Sequence, residues 1–248
     1  MRVIRPAATA ASRRRRDVAV ALVLLSAAAG AGLIAVATGR GGSIGLAVAA
    51  GVAGVVALGI GLAAAGRAAS VDVRAHDAID LERLLGSVFD DSYTLVVGPR
   101  LPGVPPDLEA LLVGPAGVRA LIARRWEGRY RARGRAWEFD AGGRGWIPCR
   151  TNPSFDAESV RDALDRWASS AGVGGTRIEA TIAFPRRASR VVLQEPADEI
   201  VTADNTPWWA GRIGRVQRLD TGRAAAFLAA VLDDTERNAP RGLAAVPR

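Results

Sequence analysis

Residues 107–128 read DLEALLVGPAGVRALIARRWEG. An apolar run from Leu108 to Val113 meets the turn Gly114-Pro115-Ala116-Gly117, and a second run from Val118 to Arg124 follows. Both runs are too short for helices, and a Gly/Pro turn between them reverses the chain, so the stretch specifies two adjacent strands. Working outward, Tyr93 to Val97 reads as an earlier strand, joined through the Pro- and Gly-rich residues Gly98 to Pro106. Before it, Ile79, Leu81, Leu84, Leu85, Val88 and Phe89 form the apolar stripe of a helix over residues 76–90. After it, Gly128 to Arg133 and Ala136 to Phe139 read as a hairpin turning at Gly134. Asn152-Pro153-Ser154 opens a second helix, 155–170, apolar at Val160, Leu164 and Trp167. Thr176 to Phe184 reads as a buried strand and Glu199 to Thr202 as a short one. A last helix from Thr221 to Asp234 is capped by Asp220 or Thr221. The expected order of helix, three-strand meander, helix and strand is one α/β domain over 76–236, with 237–248 as a flexible tail.

Composition removes whole chemistries. All 33 basic residues among the 248 are arginine; there is no lysine, one histidine (His76) and one cysteine (Cys149). A Schiff-base or phosphate-loop lysine, a zinc site of several Cys and His ligands, and an internal disulfide are excluded within one chain. His76 reads as a surface or capping residue, Cys149 as a small half-buried one, and Trp208-Trp209 as core or domain edge.

The N-terminal part has a different character. No charged residue occurs from Val18 to Gly39 or from Gly41 to Gly66, with Arg40 between them. Each run exceeds the roughly 20 residues that cross a ~30 Å hydrocarbon core. The expectation is a two-helix transmembrane hairpin over 18–66 in a plasma membrane. Residues 1–17 form a basic arm, and both ends lie in the cytoplasm by the positive-inside rule. A small-residue ridge (Gly45, Ala49, Ala53, Ala57, Gly61, Ala65) on the second span suits packing on the first span or self-association. Residues 1–66 hold seven arginines and one acid, and the remaining 182 hold 26 arginines and 24 acids. The high overall charge therefore belongs mainly to the arm, which also suits anionic lipid headgroups.

The frame at 107–128 is specific. Leu111-Leu112-Val113, Gly114-Pro115-Ala116-Gly117-Val118, Trp126 and Gly128 stand in order, with Asn152-Pro153 before a helix and Phe184-Pro185 ending a strand. This frame resembles the centre of the nuclease-related domain (NERD) family, a branch of the PD-(D/E)XK nuclease superfamily, over about Leu81 to Pro185. The resemblance implies an α/β PD-(D/E)XK-like fold. It also implies a metal-dependent phosphodiesterase site that holds Mg²⁺ between an acid on the second strand and one on the third, with a lysine two residues on. Here the first acid falls on Glu109, with Asp107 two residues earlier. The second falls on Ile122, which cannot bind a metal, and the lysine falls on Arg124. The histidine after the first acid falls on Ala110, and the glutamine of the following helix falls near Asp156. The absence of lysine from the whole chain accounts for Arg124 but not for Ile122. The site reads as degenerate, with no cofactor. The alternative is a rearranged Mg²⁺-dependent DNA nuclease that gathers Asp107, Glu109 and Glu127.

A basic ribbon lies beside it. Arg119, Arg124, Arg125, Arg129, Arg131, Arg133 and Arg135 crowd 17 residues that contain one acid, Glu127. Arg129, Arg131 and Arg133 alternate and so share one strand face. Three readings stand: phosphate contact helped by Trp126 and Trp137, contact with lipid or a protein partner, and plain solvation. The functional expectation is a membrane-anchored, catalytically inactive nuclease-related domain that binds nucleic acid, through Arg124, Arg125, Arg129, Arg131 and Arg133, or a protein.

Overall fold

The computed structural model describes residues 1–5, 26, 52–63, 79–215 and 219–238. The chain divides into two compact units, Ala8–Ala75 and the union of Met1–Ala7 with His76–Arg248. In the first unit the described helix covers 52–63. Among the described residues no helix is long and apolar enough to cross a membrane. The transmembrane hairpin over 18–66 and the plasma-membrane location expected from the sequence are corrected accordingly. An uncharged run states what lipid would tolerate, whereas helix length decides whether a bilayer is crossed. The other parts of the two expected spans, most of the basic arm and nearly all of the C-terminal tail lie outside the described residues.

The second unit is mixed α/β with two sheets. β1 (Arg2–Ile4), β2 (Thr94–Val97), β3 (Ala110–Gly114), β4 (Gly117–Ala123), β8 (Ile178–Phe184) and β10 (Glu199–Thr202) form a six-stranded sheet in the order β1-β2-β3-β4-β8-β10. β2, β3 and β4 run antiparallel, and β8 returns parallel to β4 after the helix α1 (Pro153–Ser170). β5 (Gly128–Gly134), β6 (Ala136–Asp140), β7 (Trp146–Pro148) and β9 (Ser189–Pro196) form a second sheet, β7-β6-β5-β9. Helical residues 79–86, α2 (Thr206–Gly214) and α3 (Thr221–Arg237) complete the fold.

Period-2 alternation decides which face each strand residue buries. Leu111, Val113, Val118, Ala120, Ile122, Ile182 and Phe184 pack with Val160, Leu164 and Trp167 of α1 and Phe227 and Val231 of α3. Their neighbours Leu95, Ala110, Leu112, Leu121, Ala123 and Ala183 pack with Leu81, Leu85, Trp209 and Ile213. The large sheet is thus covered on both faces, which explains why β3 reads as an unbroken apolar run and β4 as one interrupted only by Arg119. The caps follow local chemistry. The Asn152 side chain accepts from the Ser154 amide ahead of Pro153, and the Asp220 side chain accepts from the Arg223 amide.

The β3–β4 turn depends on two glycines for different reasons. Gly117 has φ 104°, a conformation that disfavours any side chain. A Cβ on Gly114 would stand 2.2 Å from Cδ1 of Tyr93, whose ring is 7% exposed. Gly114→Ala is expected to lower stability by about 1–3 kcal/mol through overpacking, read as a lower urea midpoint. An unchanged midpoint would show that the Tyr93 ring can move aside at no cost.

Candidate functional site

The residues placed by the family frame converge at one end of the large sheet. The Glu109 amide donates to the Leu121 carbonyl at 3.0 Å, its carbonyl accepts from Gly98, and the Arg124 amide donates to Ala183. The start of β3 and the ends of β2, β4 and β8 therefore meet there. Asp156 arrives from the first turn of α1, where a carboxylate favours the helix N-terminus. The Arg124 guanidinium lies between two acids: Nη2 is 2.5 Å from Asp156 Oδ2 and 3.6 Å from Asp107 Oδ1. A further guanidinium nitrogen donates to the Ala123 carbonyl at 3.2 Å. The Arg124 side chain is 16% exposed, against 45% for Asp107 and 40% for Asp156. Arg124 is the least exposed member of the trio, and one of its nitrogens faces both acids.

Ile122 is 0% exposed and belongs to the core under α1. Glu127 is 72% exposed and faces Arg186 at 3.6 Å, which also takes Asp80 at 3.3 Å. Glu127 is therefore turned to a cation and not to Asp107. The donor set does not fit Mg²⁺, which needs near-octahedral oxygen ligands. Two of the carboxylates already share a guanidinium, and a hydrocarbon stands at the third position. Among the described residues no group of three His, Cys, Asp or Glu is placed to hold a metal.

The basic ribbon splits into parts. Arg119, expected at its start, is 4% exposed and lies at the opposite end of β4. There its Nη2 is 2.8 Å from Glu179 and its Nε 2.9 Å from Glu199. Arg129 and Arg131 meet acids that the linear reading did not place beside them, Asp140 at 3.3 Å and Glu138. The β5–β6 register sets Arg131 opposite Glu138 on the same face. Arg135 pairs with Glu158 and lies 5.7 Å above the Phe155 ring, while Arg133 is exposed.

The aromatic partner is also a different one. Trp137 is 4% exposed, and Trp126 packs against Trp137 and Phe184 with centroids 5.6 and 5.8 Å apart. Both belong to the junction beneath the small sheet. Trp146 of β7 is instead the tryptophan on the arginine face, 4.6 Å from Arg131 and 5.4 Å from Arg129. Its only sequence signal was its distance past the β6 turn, which fixes no face without the register.

The remaining singular residues differ in their settings. Burial first, and then the Glu138 carboxylate, pushes the half-buried Cys149 thiol above its ordinary range. Burial likewise raises the Tyr130 phenol, whose hydroxyl donates to the Glu127 carbonyl at 3.1 Å. Trp208 is 65% exposed, whereas Trp209 is 0% exposed in the core. His76 lies outside the described residues. No protein-family model, curated protein or solved structure matches the chain.

Proposed function

We propose that residues 76–236 form a nuclease-related domain that no longer cleaves and instead binds nucleic acid. The observation that carries this reading is the Arg124 guanidinium seated between Asp156 and Asp107, at 2.5 and 3.6 Å. A phosphodiesterase of this type draws its water and its charge stabilisation from a metal held by carboxylates. In this chain a permanent side-chain cation takes up the carboxylates, and Ile122 supplies no ligand. Antiparallel β2-β3-β4 followed by α1 and a parallel β8 supports the family resemblance. Arg125, Arg129, Arg131, Arg133 and Arg135 carry the retained binding.

The test uses the full chain with supercoiled plasmid and Mg²⁺ or Mn²⁺, beside Glu109→Ala. The expected result is no nicking by either protein, with retention on a gel that weakens steeply as salt rises. Metal-dependent nicking abolished by Glu109→Ala would overturn the loss of cleavage. Absence of both nicking and retention would overturn the nucleic-acid reading in favour of a protein partner.

A further inference from the structure

We propose that the outer face of the four-stranded sheet is a docking platform for single-stranded nucleic acid, with Trp146 as its base-stacking residue. This rests on the binding reading above and names the substrate class of that binding.

Charge segregation is the first argument. Residues 125–150 and 186–196, which build the small sheet, hold ten arginines against four acids; the rest of 67–248 holds sixteen arginines against twenty acids. The net positive charge of this part of the chain therefore lies in the residues of one sheet, while the remainder is net negative. A polyanion is drawn to the first and repelled by the second.

Register supplies the second argument. Arg129 is opposite Arg190 of β9, Arg131 opposite Val192 and Arg133 opposite Gln194, while Asp140 is opposite Trp146 of β7. Arg129, Arg131, Arg133 and Arg190 thus share a face with Trp146. Glu138 and Asp140 hold the Arg131 and Arg129 guanidiniums from one side, and the Trp146 ring faces them at 4.6 and 5.4 Å. These two cations are fixed in place, with little side-chain freedom left to lose on binding. Arg133 and Arg190 remain exposed.

The choice of a single strand follows from the indole. Trp146 is half-buried on a sheet surface, so only a base released from its own pairing can reach and stack on it. In a duplex the base faces are occupied, and a lone ring on a flat sheet gains nothing from them.

The experiment measures fluorescence anisotropy of a labelled oligothymidylate of about 16 nucleotides and of a duplex of equal length. It uses the full chain, Trp146→Ala and Trp146→Phe, with thermal melts to check the fold of each. The expected result is tighter binding of the single strand. Trp146→Ala should weaken it about tenfold, with little change on duplex, and Trp146→Phe should keep most of the affinity. Duplex preference in the unaltered protein, or unchanged single-strand affinity in Trp146→Ala, would overturn the platform while leaving nucleic-acid binding intact. Failure of the unaltered protein to bind either probe would overturn both readings.

Discussion

Exchange of Ile122 for aspartate is expected to destabilise the domain by roughly 3–5 kcal/mol and not to recreate a metal ligand. Ile122 is 0% exposed in a core that includes Val160, Trp137 and Phe184, with no cation among those side chains. A carboxylate there would be desolvated, and its folded-state pKa would rise above the unfolded value near 3.9. The ionic penalty is therefore complete above the folded-state pKa, shrinks as pH falls through it, and is gone only below the unfolded value near 3.9, where both states are protonated. Urea midpoints of Ile122→Asp and the unaltered protein should differ strongly at neutral pH and less in acid. The double variant Ile122→Asp with Arg124→Lys gives both positions the residue types that the resemblance implies. Its melting temperature is expected to ignore Mn²⁺. A Mn²⁺-dependent rise would show that Asp107, Glu109 and the new acid can gather a cation, and the inactive-site reading would be lost.

The sequence made some of this legible and hid the rest for identifiable reasons. The apolar runs around Gly114-Pro115-Ala116-Gly117 specify β3 and β4 because both faces of each strand are buried, so every residue reports the same environment. β9 was not assigned, because its burial is mixed along its length and it carries an irregularity where Glu195 takes φ 49°. β1 escaped because three residues ahead of a long apolar stretch carry no periodicity, yet the Met1 amino group reaches the Phe89 carbonyl at 3.1 Å. At the candidate site, Glu109, Arg124 and Asp156 were singled out only by the resemblance to the family frame, and not by spacing or periodicity. The seating of Arg124 between two acids could not be read, since it depends on α1 closing back over the end of β4.

The ribbon shows the same limit in its electrostatics. Seven arginines beside a single acid looked like unopposed charge, but a count along the chain cannot see across strands. Glu138 and Asp140 return on the neighbouring strand to the face of Arg131 and Arg129. Arg119 shares the ribbon's sequence but not its sheet. Its alternation in β4 points it away from Ile122, and β8 and β10 bring Glu179 and Glu199 to meet it.

That buried cluster carries the other large expected effect. Glu199 Oε1 accepts from Arg119 Nε at 2.9 Å and from Thr181 Oγ1 at 2.6 Å, while Oε2 faces Arg212 at 3.3 Å. The side chains of Arg119 and Glu199 are 5% and 15% exposed, so solvent screens them little. Glu199→Ala would leave the Arg119 guanidinium buried with Glu179, which Arg177 also holds at 2.9 Å. The expected loss is about 3–5 kcal/mol, because a buried cation that loses a partner keeps its desolvation penalty. Arg212, 51% exposed at the rim, contributes little of this. The paired variant Arg119→Met with Glu199→Gln removes the stranded charge and keeps a hydrogen-bond partner for Thr181, so most of the loss should return. Urea midpoints of Arg119→Met, Glu199→Gln and the double variant form a cycle with a coupling of about 0.5–3 kcal/mol. Additive losses would show that the two side chains act independently. The cluster joins β4, β8, β10 and α2 at the end of the sheet away from Arg124, so these variants should lower the melting temperature and leave oligothymidylate affinity unchanged well below it. A matching loss of affinity in the folded double variant would mean that the network positions the small sheet and does more than hold the large one together.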